Sequence, residues 1–187
     1  MIEDPLHFPK DIPVYMMIDM GALDQMTTAI PVVNSWERFG YTVKKIQHLK
    51  SYEVDFQLGF EGDMITASRG LRQQWYNHYR MWKKIRARGE KSIVIGHRNY
   101  LQNDIPRIIY DRLPFFPFQL QYNRIVKNRP IEHEQYSGGY FITPEWANDL
   151  INIYKYSNIK TELDKERSIW LPELENYPFE IYTLEYV

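Results

Sequence analysis

Pro13 to Asp19 reads PVYMMID, a short apolar run bounded by a proline and by Gly21, which is the pattern of a buried strand. From about Thr28 to Phe39 the apolar positions Ile30, Val33 and Trp36 recur at three-residue steps. Pro31 suits a first helical turn and Gly40 a C′ position, so this segment is expected to be a helix. Tyr41 to Ile46 (YTVKKI) returns to β-type residues. Strand, helix and strand within so short a stretch make a βαβ unit with a parallel pair, and the fold class is α/β.

The rest of the chain continues in that style. Ser51 to Gly62 has no sustained period and reads as a loop. From Ser68 to Arg88, Leu71, Trp75, His78, Trp82 and Ile85 fall on one stripe, with Arg69, Arg72, Arg80 and Lys83 opposite, which predicts a helix ended by Gly89. Lys91 to Ile95 and Tyr140 to Thr143 are expected strands, and Pro144 opens a helix with Trp146, Ala147, Leu150, Ile151 and Tyr154 on its inner face. The prolines of Leu113 to Gln121 (LPFFPFQLQ) forbid a helix and favour an extended edge segment, whose aromatic side chains offer a docking surface for a protein partner. The tail from Thr161 holds seven acids against two bases and is expected to run extended over the surface.

At 187 residues the chain suits one domain, with a core at about 13–170 and an extended tail at 171–187. Aromatic residues reach 16%, enough for a substantial core or, in part, for stacking on bases or sugars. The net charge of -1 gives no global attraction to nucleic acid or an anionic membrane. Cysteine is absent, which excludes disulfides, thiolate zinc sites and cysteine nucleophiles and agrees with a reducing compartment. MIEDPLHFPKDIP lacks an apolar core of the kind found in secretory signals, and no run approaches the roughly 18 apolar residues of a membrane span. A cytoplasmic location is the expectation.

The order PVYMMID, helix, YTVKKI, YNHYRMWKKI, SIVIGHRNYL and SGGYFITPEWANDLI resembles glycosyltransferase family 25, the lipooligosaccharide-biosynthesis group that includes collagen galactosyltransferases. The resemblance spans roughly Pro13 to Trp170. It implies a GT-A-like fold, a Rossmann-type mixed sheet flanked by helices that binds a nucleotide sugar at the strand C-termini. The family carries an acidic metal-binding cluster after the strand that matches SIVIG; here Gly96, His97 and Arg98 stand in its place. Two alternatives follow. Either Arg98 and His97 neutralise the donor's diphosphate directly, so that no divalent metal or other cofactor is required beyond the sugar donor, or catalysis has been lost and a non-catalytic binding or assembly protein remains.

On the transferase reading Asp19 recognises the donor, His97 and Arg98 meet the diphosphate, and His78 and Asp164 position the reactants. His78 also fits a packed core histidine, and Asp19 also fits a cap of the next turn. Gly138 and Gly139 allow close approach to a ligand or make a tight turn. From Ala67 to Lys91 eight bases stand against one acid, a local charge of +7. That helix is a solvated basic face, a partner for the acidic tail, or a phosphate-facing surface in which Arg69 and Arg72 touch a nucleotide sugar or a nucleic acid backbone. The last option extends to a transferase acting on nucleic acid. Glu132, His133 and Glu134 alternate along an extended segment and read as a solvated loop, and the motifs of P-loop, hydrolase-elbow and zincin enzymes are missing.

Overall fold

The computed structural model describes residues 6–49, 69–121, 139–154 and 182–184. The expected loop at 51–62, the Glu132–Glu134 segment, Gly138, Asp164 and the tail up to 181 lie outside the described residues, as do the side chains of Arg69, Leu71, Arg72, Trp75 and Tyr154.

Strand β1 (Val14–Ile18) is buried at every position because it has a covered face on each side. Val14, Met16 and Ile18 enter one core, and Tyr15 and Met17 the other. β1 pairs in parallel with β2 (Val43–Gln47) and with β3 (Ser92–Gly96), as a βαβ unit requires. β3 pairs antiparallel with β7 (Tyr140–Ile142), which pairs antiparallel with β5 (Phe115–Pro117). The mixed five-stranded sheet thus has the order β2-β1-β3-β7-β5. A smaller sheet of order β4-β8-β6 joins Tyr100–Leu101, Tyr182–Leu184 and Gln119–Gln121.

Helix α1 (Leu23–Arg38) and the short α3 (Arg107–Arg112) cover the face of the sheet lined by Val14, Met16, Ile93 and Phe141. Helices α2 (Arg69–Arg88) and α4 (Pro144–Tyr154) cover the other. The result is one α/β domain with helices on both sides of the sheet. No helix among the described residues is long and apolar enough to cross a membrane.

α1 begins five residues before its expected start, so Pro31 lies inside the helix instead of in its first turn. Of the recurring apolar residues Trp36 is buried and Val33 packs in part against the core, while Ile30 is 59% exposed; Ala29, Val32 and Ser35 complete the buried stripe. Trp36 decides the rotation. Ala29, seven residues earlier, returns to the same side of a 3.6-residue helix, whereas Ile30, six earlier, does not. Gly40 (φ +92) and Gly89 (φ +66) close α1 and α2 in the left-handed conformation that favours glycine. Thr143 caps α4, its Oγ1 accepting from the Trp146 N–H at 3.2 Å.

One expectation is corrected by packing. Leu113, Phe115, Phe116 and Phe118 are all buried within the domain, so their side chains are withdrawn from the surface that a docking role would need. Gly139 has no positive φ and is packed on its open side. A Cβ there would lie 2.9 Å from Phe118 Cδ2 and 3.2 Å from Ile95 Cγ2, so its bare backbone serves the join between β3 and the strand leading to β6. Gly139→Ala should destabilise by roughly 1–3 kcal/mol through overpacking, measurable by urea unfolding, with no specific effect on ligand affinity.

Trp82 is 1% exposed and its Nε1–H donates to Tyr140 Oη at 3.0 Å. Truncation to Ala should cost about 3–5 kcal/mol. A loss well under 1 kcal/mol in denaturant titration would mean that α2 is anchored elsewhere.

Candidate functional site

β1 and β3 are adjacent and parallel, but the chain leaves β1 for β2 on one side and reaches β3 on the other. Ligands of open α/β sheets bind outside the strand carboxyl ends at such a reversal. The residues that follow the three parallel strands are Asp19, His48 and His97. Sequence reasoning found the first and third and missed His48, although it stands at the end of YTVKKIQ as the other two stand at the ends of their strands.

Asp19 is held by its neighbours. Its Oδ1 accepts from the Gly21 N–H at 3.0 Å and from Gln47 Nε2 at 3.0 Å, and its own N–H donates to Gln25 Oε1 at 3.0 Å. The Gln47 Oε1 accepts from the Met20 N–H at 2.9 Å. One amide therefore clamps the ends of β1 and β2 together. The turn at Asp19–Gly21 leads directly into α1, so the carboxylate does cap a turn, and it does so at the strand edge where a ligand would sit.

The loop after β3 is equally fixed. Asn99 Oδ1 accepts from the Gly96 N–H, the Asn99 carbonyl accepts from Trp36 Nε1 at 2.7 Å, and the Leu101 N–H donates to Ser35 Oγ at 2.9 Å. These bonds pin Gly96–Leu101 to α1 and leave His97 and Arg98 at the tip of a tight turn. Arg98 is exposed. His97 is half-buried, and its Nδ1 is buried without a hydrogen-bond partner.

From the other face, α2 brings Asn77, His78 and Arg80. Asn77 bridges both backbone groups of Leu49, accepting from its N–H at 2.8 Å and donating to its carbonyl at 3.1 Å, which fixes the exit from β2. His78 Nδ1 lies 2.7 Å from Tyr140 Oη. Since that hydroxyl already accepts from Trp82, its proton is available to Nδ1, an arrangement that suits the Nε2–H tautomer of His78. Arg80 is half-buried, not turned fully outward with exposed Lys83, and its charge acts on His48.

The electrostatics favour neutral imidazoles. Burial, and then the neighbouring His48, lower the His78 pKa to about 3. Burial lowers His48 as well; Asp19 opposes this, while His97 and Arg80 reinforce it. His97 is lowered by burial and by Arg98, against Asp24. The edge thus presents Arg98 and Arg80 as cations, Asp19 as the anion, and imidazoles that stay uncharged at neutral pH. The side chains of Arg69 and Arg72, together with Gly138 and Asp164, cannot be placed in this group, and Gly139 stands apart in the packing role described above. Among the described residues no group of three or more His, Cys, Asp or Glu could hold a metal ion.

The histidines make stability depend on pH. A folded-state pKa below the unfolded value of about 6.5 means that the unfolded chain takes up protons first as pH falls. The contribution of His78 is therefore complete above about pH 6.5 and is lost progressively toward pH 3. His78→Gln should show a shallower decline in urea midpoint than the parent between neutral and mildly acid pH. Parallel declines would contradict a neutral, buried His78.

No protein-family model matches this chain, and no curated protein matches it.

Proposed function

We propose that the edge formed by β1 and β3 binds a nucleotide sugar, and that the chain is a glycosyltransferase family 25-like protein that transfers sugar without the usual divalent metal. The observation that carries this reading is the reversal of strand order at β1, with Asp19 on one flanking loop and His97–Arg98 on the other. Asp19 meets the ribose or base. Arg98 offers its planar fork to the diphosphate, and His97 adds a second contact beside it. As the bond from the anomeric carbon to the diphosphate breaks, charge grows on the leaving group, and a fixed guanidinium aimed there lowers the barrier. His78, held through Tyr140, positions this wall of the site.

A second reading keeps the ligand and drops the reaction. It is favoured by the tripeptide Gly96-His97-Arg98 at the place where the family resemblance implies acids. Turnover of the donor separates the two.

Calorimetry with a panel of nucleotide sugars in the presence of a chelator tests the proposal. Binding is expected without metal. Arg98→Ala should weaken it by about 1.5–3 kcal/mol, the range for hydrogen bonds to charged groups, and Arg98→Lys should recover only part because it lacks the bidentate fork. Affinity that collapses in chelator and returns with manganese would overturn metal independence. Absence of binding to the unaltered protein at millimolar donor would overturn the assignment itself.

A further inference from the structure

A second cationic feature lies away from the strand edge, around Tyr15 on the α2 side of the sheet. Tyr15 is 1% exposed, with its hydroxyl buried at the edge of the core. Three cations surround it. Lys44 is its in-register neighbour on the edge strand β2 and shares the α2 side with Ile46, two residues on, which packs into the Tyr15 core. Lys84 Nζ stands 5.1 Å from the Tyr15 ring centroid. Arg88 lies close enough to act on the hydroxyl by charge and by hydrogen bonding, against the opposing charge of Glu90.

These groups crowd one another. Burial, and then Arg88, Lys44 and Arg80, hold the Lys84 ammonium below its ordinary pKa. Crowding of like charge costs energy in the free protein, and an anion would relieve it. Among the described residues none of Lys44, Arg80, Lys84 and Arg88 has a carboxylate partner.

The spacing selects the kind of anion. Arg80, Lys84 and Arg88 are four residues apart, so they share one stripe of α2 over about 12 Å at 1.5 Å per residue. That is too long for a single phosphate to span. A duplex strand carries a charge about every 3.4 Å of its axis, so the row matches a few consecutive phosphates. A membrane surface would require apolar side chains beside the row, but among the described side chains the exposed large hydrophobics are Leu6, Met20, Leu23 and Ile30, none of them on β2 or on the 80–88 stretch of α2.

We propose that Lys44, Arg80, Lys84 and Arg88, gathered on the α2–β2 face beside Tyr15, form a sequence-independent docking surface for the phosphate backbone of duplex nucleic acid. This inference does not rest on the transferase reading. It involves no reaction, only release of counterions from the backbone.

Fluorescence anisotropy with a mixed-sequence DNA duplex between about 50 and 200 mM salt tests it. Four contacts give a slope of log affinity against log salt near −3.6, at about −0.9 per contact. The combined variant Lys44→Gln, Lys84→Gln and Arg88→Gln should reduce the slope to about −0.9. The charge-preserving set Lys44→Arg, Lys84→Arg and Arg88→Lys should retain it, which separates charge from folding. Arg98→Ala should leave duplex binding unchanged while weakening nucleotide-sugar binding, so failure of one site is distinguishable from failure of the other. The proposal is overturned by salt-insensitive binding, by no duplex binding to the unaltered protein, by equal loss in both triple variants, or by binding to phosphatidylserine vesicles and not to duplex.

Discussion

The wholly buried indole of Trp36 donates its N–H to the Asn99 carbonyl, and the architecture of the candidate site hangs on that bond. The ring packs edge-on against Tyr41 and beside Phe118, so its position is set from both ends of the domain core. Because a buried carbonyl without a donor costs roughly 1–3 kcal/mol, the loop after β3 has a strong reason to stay where it is. Ser35 adds a second tie one residue earlier on the same helix, to the Leu101 N–H. The helix that crosses from β1 to β2 thereby also fixes the turn that leaves β3. Asp19 and His97–Arg98 inherit their placement from that single crossover.

Burial acts differently on the two kinds of basic group. Imidazole at the strand edge gives up its proton readily, so desolvation leaves His48, His78 and His97 neutral. Guanidinium cannot follow, and Arg80 and Arg98 remain charged in the same neighbourhood. The edge consequently combines persistent cations and the Asp19 carboxylate with neutral donors and acceptors. Farther along α2, burial and then the like charges of Arg88, Lys44 and Arg80 hold the Lys84 ammonium below its ordinary pKa. One helix thus contributes to both surfaces: His78 toward the strand edge, Lys84 and Arg88 toward the edge strand β2, and Arg80, whose charge acts on both His48 and Lys84, between them.

Much of the fold was legible because its signals are local. The unbroken apolar run of β1, the glycines at 40 and 89, and Pro144 after Thr143 each specify a conformation through the residue's own chemistry, and each marks an element end or type found in the structure. Asp19, His97 and Arg98 could be singled out for the same reason: they follow strands, and strand ends are where such sheets hold ligands. The rotation of α1 was not legible. Three-residue spacing fits Ile30 as well as it fits Ala29 and Val32, and only the socket that receives Trp36 distinguishes them.

The sequence by itself determined an α/β chain with a βαβ start, a basic amphipathic helix, and polar residues at the ends of its strands. Each of these follows from periodicity or from backbone preference within a few residues. Only the tertiary structure decided that β7 runs antiparallel against β3, that the aromatic segment at 113–118 turns inward, and that Gly139 is required by Phe118. It alone brought Gln47 to Asp19, His78 to Tyr140, and Lys44 beside Tyr15 and Lys84. These are contacts between distant parts of the chain, and their free energy depends on which surfaces meet when the layers pack, which no local pattern encodes.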